Sequence, residues 1–357
     1  MDTVFIPIKT VSVLFIPQNI ITANRLTKQI KSMLSAHPIH KIVVFRALQL
    51  GDLLCSVPAF RALRTAYPEA HITLVGLPWA ENLLNRFADY FDAFIAFPGY
   101  PGLPEQEIDP EKATAFLQQM QQQKFDLALQ MQGNGSVVNP LVEMFGAFYT
   151  AGFYREEDYR PSPLFLKYPK GIPEIERHLL LMNHLGIPSV GSDLEFPLNS
   201  YDFDAFDQLN LQIVPQKYIC IHPGSRSVAR QWPPTYFAAL ADYCQEQGFD
   251  VVITGTKDEA HLAAEVMQHM QHEAYNLTGK TTLGAVAVLI KNAFALISNC
   301  TGVSHIAAAF GTPSIVISLH GEPERWSPLN QMKHRTIDWT RTPNFNLVME
   351  QLVEVVV

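Results

Sequence analysis

The sequence predicts an α/β protein in which two Rossmann-like domains, each built on a parallel sheet, face each other across a central cleft. Its 357 residues correspond to roughly two domains at about 150 residues each. Short apolar runs alternate with stretches of helical period, a pattern typical of βαβ units. The alternation stops at a turn-rich interval and then begins again, which indicates two similar halves. Ligands of such sheets bind beyond the carboxyl ends of the strands, so we expect the functional residues there.

Composition excludes several classes of protein and partner. Apolar residues make up 48% and charged residues 17% of the chain, so it can fill two cores and has no disorder signature. The 34 acidic and 26 basic side chains give a net charge of −8, and no basic run offsets it. A duplex-binding protein needs a basic face, so we expect no nucleic-acid partner.

The cysteines and the apolar runs indicate the compartment. Cys55, Cys220, Cys244 and Cys300 are widely separated and form no C-x-x-C pair. This spacing argues against a disulfide framework and a zinc site, and it favours reduced thiols in the cytoplasm. No apolar run reaches the 18 residues of a membrane-spanning helix, and the N-terminus lacks the features of a secretory signal. We expect at most a peripheral contact with a membrane, and no metal or other cofactor.

The predicted organisation has five parts. Residues 1–40 form an extension, residues 41–195 a first Rossmann-like domain and residues 196–216 a linker. Residues 217–330 form the second domain, and residues 331–357 are predicted to form a helix that returns to the first domain. The strands are predicted from short apolar runs at 42–45, 71–75, 126–130, 218–221, 250–253, 295–297 and 314–317.

Asp52 is the candidate general base. It lies in the loop after the first predicted strand, where Gly51 permits a tight turn, and it opens the next helix with its carboxylate toward the cleft. Two interpretations stay open. The carboxylate complements the helix dipole, a contribution of about 0.3–1 kcal/mol, or it takes a proton from an acceptor hydroxyl.

The loop after the strand 218–221 is a candidate anion site. Gly224 and Ser225 are small, and two guanidinium groups, Arg226 and Arg230, follow them. Arginine binds phosphate through paired hydrogen bonds, so this set suits a phosphate group. The alternative is an ordinary loop with solvated arginines.

Two further loops carry candidates for a bound nucleotide. Glu259, after the strand 250–253, either accepts hydrogen bonds from a ribose diol or is an ordinary glutamate at a helix start. Thr301 and Gly302 lead into an Ala-rich helix whose first N–H groups and positive dipole end suit a pyrophosphate. His305, in the first turn, is either a donor to a phosphate oxygen or a packed structural histidine.

Two common nucleotide-binding signatures are absent from the sequence. The segment 278–281 resembles the end of a Walker A loop, but Ala274 stands where the first glycine is required, and no strand precedes it closely. No G-x-G-x-x-G follows Phe45, which argues against a nicotinamide oxidoreductase.

The order and spacing of the motifs resemble those of glycosyltransferase family nine, the lipopolysaccharide heptosyltransferases. The resemblance runs from about residue 41 to residue 328. The family commonly has Asp at the position of Cys300, and residues 1–40 have no counterpart in it. The matching segments are Leu50-Gly51-Asp52, Pro58-Ala59, Gln132-Gly133, His222-Pro223-Gly224-Ser225, Arg230-Gln231-Trp232-Pro233, Asn299-Cys300-Thr301-Gly302, His305-Ile306-Ala307-Ala308-Ala309 and Pro323-Glu324-Arg325-Trp326-Ser327-Pro328.

The resemblance implies the GT-B fold and an inverting, metal-independent transfer of a sugar, typically heptose from ADP-heptose, to a lipopolysaccharide-core or related glycan or glycolipid acceptor. It implies a cytoplasmic enzyme, peripheral at most to the inner membrane, with Asp52 as the catalytic base. Thr281 is kept as a further candidate for binding the donor. The complete predicted donor-binding set is Gly224, Ser225, Arg226, Arg230, Glu259, Thr281, Thr301, Gly302 and His305.

Two other functions stay open at this point. A nucleotide-sugar epimerase of the same two-domain shape would convert the donor without an acceptor. A non-catalytic sugar-nucleotide-binding protein would bind the nucleotide and release nothing, an interpretation that Cys300 favours. The loops 98–108 and 132–139 of the first domain are expected to contact the acceptor.

Overall fold

The structure, a computed structural model, describes residues 28–356 and contains two six-stranded sheets in this part of the chain. In both sheets all neighbouring strands run parallel. We call the first sheet and its helices the first lobe, and the second sheet and its helices the second lobe.

The first lobe alternates strands and helices in sequence. Residues 28–35 are helical and precede it. Its strands are β1 Lys41–Phe45, β2 His71–Gly76, β3 Ala93–Ala96, β4 Leu127–Gln130, β5 Tyr149–Tyr154 and β6 Phe165–Lys167. Its helices are α1 Leu50–Leu54, α2 Val57–Ala66, α3 Glu81–Leu84, α4 Pro110–Gln123, α5 Val138–Glu143 and α6 Glu174–His184, with 3₁₀ turns at Pro78–Ala80 and Asn85–Phe87.

The second lobe repeats this alternation. Its strands are β7 Tyr218–His222, β8 Asp250–Ile253, β9 Tyr275–Asn276, β10 Ala295–Asn299, β11 Ser314–Ser318 and β12 His334–Asp338. Its helices are α7 Ser200–Asp207, α8 Pro234–Glu246, α9 Ala260–His269, α10 Leu283–Asn292, α11 Gly302–Phe310, α12 Pro323–Trp326 and α13 Phe345–Val356, with 3₁₀ turns at Val228–Arg230 and Lys257–Glu259.

The two sheets have the same strand order. The first is β3-β2-β1-β4-β5-β6 and the second is β9-β8-β7-β10-β11-β12, so each follows the doubly wound order 3-2-1-4-5-6. The order reverses between β1 and β4 in the first sheet and between β7 and β10 in the second. Ligands bind beside such switch points, and the loops after β1, β7 and β10 are three of the four loops singled out in the sequence.

The strands are apolar throughout because helices cover both faces of each sheet. In β1, Ile42 and Val44 belong to one buried cluster and Val43 and Phe45 to another, on opposite faces. Burying a side chain of this size contributes about 1.5–3 kcal/mol, so the central strand fixes the loop that follows it. The cluster that holds Ile42 also extends into the second lobe, where α1 packs against α11.

The interval 196–216 is more ordered than the predicted linker. It contains α7, which begins with a capping box between Asn199 and Asp202 and packs against α10. Arg86 of the first lobe forms paired bonds to the Asp202 carboxylate, at 2.5 and 2.8 Å. A Cβ at Gly284 would overlap the same carboxylate. The connection between the lobes is therefore held by both of them.

The prediction for the C-terminal residues is wrong. The sequence predicts a helix on the first domain for residues 331–357, but β12 adds a strand to the second sheet, and α13 packs on α8 and β11 of the second lobe. Val348 and Leu352 of α13 are fully buried in the core of that lobe. The spacing of the apolar residues in α13 predicts a helix with one buried face, but it does not indicate which lobe that face packs on.

The N-terminal extension is described only in part. Residues 1–27 of the predicted extension 1–40 lie outside the described residues. Residues 28–35 bury Ile30 and Leu34 in the first-lobe core. No helix among residues 28–356 is long and apolar enough to cross a bilayer.

Candidate functional site

A chain of contacts joins the four loops that the sequence singled out. Gly51, in the loop after β1, lies against His305, in the first turn of α11. Asn299, at the end of β10, donates to the carbonyl oxygens of Pro223 and Gly224 at 2.7 and 3.3 Å. Gly224 in turn lies directly against Glu259. The four loops therefore form one surface at the carboxyl ends of both sheets.

Asp52 is held at this surface by the guanidinium group of Arg46. The Arg46 side chain is fully buried and donates from Nη2 to the backbone carbonyl of Asp52 at 2.8 Å, and from Nη1 to the carbonyl of Met131 after β4. Ser56 donates to the same Asp52 carbonyl at 3.0 Å. These bonds fix the first turn of α1 between the two strands of the switch point.

The Asp52 carboxylate is only partly buried. Its side chain is 21% exposed, and its Oδ1 lies 3.8 Å from Arg46 Nη2. Burial raises the pKa of Asp52 above its ordinary value, the Arg46 charge opposes that rise, Glu174 adds to it and Arg325 opposes it. A carboxylate with a raised pKa that solvent can still reach is a stronger general base than an ordinary aspartate.

Arg46 connects Asp52 to Glu174, a buried carboxylate with several cationic partners. It is 2% exposed and accepts from Arg46 Nη2 at 3.1 Å, from Arg325 Nε at 2.9 Å and from His178 at 3.2 Å, with Arg177 as a further partner. Burial alone would raise the pKa of Glu174, but the His178 hydrogen bond and the Arg46 charge lower it well below its usual range. Glu174 is therefore ionised at neutral pH.

The second lobe places the predicted anion loop against the end of β10. Asn299 is fully buried and accepts from the Trp232 N–H at 3.0 Å, besides the two bonds that it donates. Ser225 is buried, and its carbonyl accepts from Gln231 Nε2 at 2.8 Å. The bend between β7 and α8 is thus fixed at both its ends.

Glu259 serves its own helix start and also reaches the anion loop. Its Oε2 accepts from the N–H and the hydroxyl of Thr256, at 2.8 and 2.9 Å, in a capping box. A Cβ at Gly224 would overlap the Glu259 carboxylate. Glu259 is therefore a capping glutamate at a helix start, as one of the two interpretations has it. Its position beside the β7 loop also suits the proposed ribose contact.

Two exposed arginines border this loop. Arg226 and Arg230 are solvent-exposed, and within residues 28–356 neither forms an ion pair. Burial raises the pKa of the Cys300 thiol to about 11, and Arg230 is near enough for its charge to oppose this rise. At neutral pH the thiol is neutral, so Cys300 adds no negative charge beside Arg230.

Helix α11 begins without a side-chain cap. Thr301 is its N-cap residue and forms no side-chain bond to the first turn. A Cβ at Gly302 would be 3.0 Å from Leu50 Cδ2, so the helix start lies directly against α1 of the first lobe. An uncapped helix start carries free N–H donors and partial positive charge, which suits an anion.

His305 is a packed residue of the contact between the lobes. It is 3% exposed, and its Nδ1 lies 3.6 Å from the Sγ of Cys55. Burial lowers its pKa to about 4, so the ring is neutral at pH 7. These contacts favour the packed structural histidine of the two interpretations, and the proposed phosphate contacts do not include His305.

Thr281 lies in the loop between β9 and α10. In the same loop, the Gly279 N–H donates to the carbonyl of Gly255 at 2.9 Å, so this loop packs on the one that leads to Glu259. The helix N-cap is the neighbouring Thr282, which accepts from the Ala285 N–H at 3.1 Å. Among residues 28–356, no three His, Cys, Asp or Glu side chains are grouped so as to hold a metal ion.

Sequence reasoning missed the roles of several buried polar residues. Asn299, the last residue of β10, and Arg325 lie in the matching segments, but neither received a role. Arg46, which directly follows β1, received none either. Glu174 was not singled out at all. Its only signal is the helical spacing of Glu174, Arg177 and His178.

Comparison with known proteins decides the family. The family model for glycosyltransferase family 9 (heptosyltransferase) matches residues 113–354, which is well over half of the chain. The chain belongs to glycosyltransferase family 9. This enzyme is therefore a glycosyltransferase of the heptosyltransferase type, and the family expected from the motifs is confirmed.

Relatives and solved structures agree with this assignment. Lipopolysaccharide heptosyltransferase 2 of Escherichia coli (strain K12) is 25% identical over 311 residues, which span 81% of this chain and 86% of that protein. The structure of E. coli ADP-heptose LPS heptosyltransferase II has a TM-score of 0.70 at 21% identity, over 88% of this chain and 98% of that one. E. coli heptosyltransferase WaaC with ADP has a TM-score of 0.64 at 16% identity, over 88% and 99%. These structures confirm the predicted GT-B fold class of this glycosyltransferase.

Proposed function

We propose that this glycosyltransferase transfers a heptose from ADP-heptose, with inversion and without a metal ion, to a hydroxyl of a lipopolysaccharide-core acceptor. One observation carries the proposal. A partly exposed carboxylate with a raised pKa, Asp52, lies on the helix that packs against the uncapped start of α11. A base and an anion site from opposite lobes are what an in-line displacement of a nucleotide diphosphate requires.

The leaving diphosphate meets positive charge from the second lobe. Arg230 is near Cys300, the residue before the N-cap of α11, and Ser225 and Arg226 follow the adjacent strand. Hydrogen bonds from arginine to phosphate and the helix dipole stabilise the charge that develops as the glycosidic bond breaks. These groups supply the charge stabilisation, so the proposal includes no metal ion.

Asp52 accepts the proton of the acceptor hydroxyl as the oxygen attacks the anomeric carbon. Its backbone is held by Arg46 and Ser56, so the carboxylate keeps a fixed position in the cleft. General base catalysis of this kind contributes about 10²–10⁴-fold to the rate. Glu259, beside Gly224, is assigned to the ribose hydroxyls.

The names of the relatives support this choice of donor and acceptor. The E. coli K12 relative is named a lipopolysaccharide heptosyltransferase, and it matches most of this chain. A structural neighbour with the same fold was solved with ADP and another with ADP-2-deoxy-2-fluoro heptose. We carry the adenine nucleotide and the heptose over to this enzyme on that basis.

A thermal-shift screen followed by a transfer assay tests the proposal. We expect ADP and ADP-heptose to raise the melting temperature more than UDP, GDP or their sugars do. At a hundred times its Kd, a ligand that binds only the folded state stabilises that state by about 2.7 kcal/mol. ADP-heptose should then release ADP only when a lipopolysaccharide-core acceptor is added.

Other outcomes of this experiment support the rival functions. Conversion of the nucleotide sugar without any acceptor would identify an epimerase. Tight binding of ADP with no release of nucleotide from the donor, whatever core acceptor is added, would identify a non-catalytic binding protein. Absence of a thermal shift with every nucleotide would contradict all three functions.

A further inference from the structure

We infer that Arg325 of the second lobe and Glu174 of the first lobe form a latch that couples closure of the cleft to the position and charge state of Asp52. Arg325, Glu174 and Arg46 are positioning residues in this account and contact no substrate. The inference rests on the proposed role of Asp52 as base. It concerns Arg325 and Glu174, to which the motifs and the proposed function assign no role.

The first step of the argument is the contact between the lobes. Arg325 is on the short helix α12 after β11, and its Nε donates to Glu174 Oε2 at 2.9 Å. Glu174 is at the start of α6, which packs on α2 of the first lobe. The Arg325 side chain is 25% exposed, whereas Glu174 is 2% exposed. A partly exposed arginine of one lobe therefore forms an ion pair with a buried carboxylate of the other.

The second step is the preorganisation of Glu174. Its Oε1 accepts from Arg46 at 3.1 Å and from His178 at 3.2 Å, and Arg177 pairs with Oε2. The first lobe alone thus keeps Glu174 ionised. Burying a charged pair is favourable only with such additional hydrogen bonds, so Arg325 reaches an acceptor that is already charged and adds a further bond that holds it.

The third step connects Glu174 to the base. The same Nη2 of Arg46 that binds Glu174 donates to the Asp52 carbonyl at 2.8 Å. One guanidinium group thus joins the latch to the first turn of α1. A shift of Glu174 when Arg325 leaves moves Arg46, and with it the carboxylate of Asp52.

The fourth step is the charge around Asp52. The charged groups near it are Arg46 on its own loop, Glu174 on α6 and Arg325 on α12, and the neutral thiol of Cys55 is also near. Tyr168, beside Arg177, is near Glu174 and Arg325, and its hydroxyl is neutral at pH 7, since burial raises a pKa that is already about 10 in an exposed tyrosine. Closure buries Asp52, which favours the protonated acid, but it also brings the Arg325 cation, which favours the carboxylate. Arg325 therefore helps Asp52 to stay ionised in the closed cleft.

The test uses Arg325→Gln, Arg325→Lys and Glu174→Gln in the full-length enzyme. Arg341→Gln is the matched control, since Arg341 is an exposed arginine of the same lobe that pairs with Glu324 and Asp338 and not with Glu174. Two properties are measured for each variant. Small-angle X-ray scattering gives the separation of the lobes, and the pH profile of kcat/KM gives the apparent pKa of the base.

We expect Arg325→Gln to increase the radius of gyration and to lower kcat/KM about tenfold, with partial rescue by Arg325→Lys. The acidic limb of the profile should move up by about half a pH unit or more in Arg325→Gln, which loses a cation, and down in Glu174→Gln, which loses an anion. Shifts of opposite sign are not expected from two variants that merely loosen the fold. Arg341→Gln should match the wild type in both measurements.

The other outcomes also decide whether the latch exists. If Arg325→Gln equals the wild type in scattering and in pH profile, the latch is contradicted while the proposed function stands. If no variant and no wild-type enzyme transfers a sugar, the proposed function fails and the scattering decides whether the latch exists. If Glu174→Gln does not fold, the comparison of Arg325→Gln with Arg325→Lys decides.

Discussion

Gly51 of the first lobe lies so close to His305 of the second lobe that a Cβ at Gly51 would be 3.0 Å from the imidazole Cδ2. A Cβ there would be tighter than ordinary contacts unless the imidazole moved, so the first turn of α1 lies directly against α11. This contact places Asp52, the next residue, beside the start of α11. It also buries His305, which has consequences for stability.

The buried histidine predicts a loss of stability in acid. The pKa of His305 in the folded enzyme is about 4, below the 6.5 of an unfolded chain, because burial disfavours the charged ring. The unfolded state therefore binds more protons between these two values, and stability falls as the pH drops from 6.5 toward 4. At pH 5 the loss from His305 alone is about 2 kcal/mol. Urea unfolding at pH 7 and pH 5 measures it.

The His305→Asn variant isolates this contribution. It should lose less stability than the wild type between pH 7 and pH 5, whatever its stability at pH 7. His269→Asn, at an exposed position of α9, is the control and should keep the wild-type pH dependence. Equal pH dependence in His305→Asn and the wild type would mean that this imidazole titrates as freely as in the unfolded chain.

A second prediction concerns the contact between Gly224 and Glu259. A Cβ at Gly224 overlaps the Glu259 carboxylate, so Gly224→Ala must displace the carboxylate from its capping box and from the proposed ribose contact. We expect the affinity for ADP to fall at least about tenfold, as for the loss of one or two hydrogen bonds to a charged group. Isothermal titration calorimetry with ADP measures the change.

The double variant Gly224→Ala with Glu259→Ala gives the decisive comparison. If the two residues act through the same contact, the double variant should bind ADP no more weakly than the worse single variant. Strictly additive losses would instead mean that Gly224 and Glu259 contribute to binding separately.

A third prediction concerns Arg230. Arg230→Ala removes an exposed guanidinium next to Cys300, and we expect ADP to bind about 10–100-fold more weakly, with a smaller dependence on salt concentration. Arg341→Ala, on the same lobe, removes an arginine that already pairs with Glu324 and Asp338 and should leave the affinity unchanged. Unaltered ADP binding by Arg230→Ala would mean that Arg230 is a solvated surface arginine and does not contact the nucleotide.

The fold could be predicted from the sequence because its central strands have an unambiguous pattern. The apolar run that became β1 and the restart of the pattern at β7 follow directly from sheets covered on both faces. The placement of α13 on the second lobe could not be predicted. An amphipathic helix specifies that one face is buried, but the surface that it covers depends on which sheet leaves a matching apolar face.

The candidate site was predictable only where a residue directly follows a strand. The loops with Asp52, Ser225 and Thr301 lie at the switch points of the sheets, as expected from topology. The buried environment of Glu174 could not be predicted, since it depends on side chains that lie up to 151 positions away in the chain. His305 was assigned two roles from the sequence, and only its burial against Cys55 decides between them.

The most direct test of the account is the comparison of Asp52→Asn with the wild type at saturating donor and acceptor. Asparagine keeps the size of the side chain and removes its basicity, and Asp89→Asn, at an exposed position of the same lobe, is the control. We predict that kcat falls about 10²–10⁴-fold in Asp52→Asn while the Kd for ADP changes less than about threefold. Turnover near the wild-type value in Asp52→Asn, with the control unaffected, would contradict the role of Asp52 as the base.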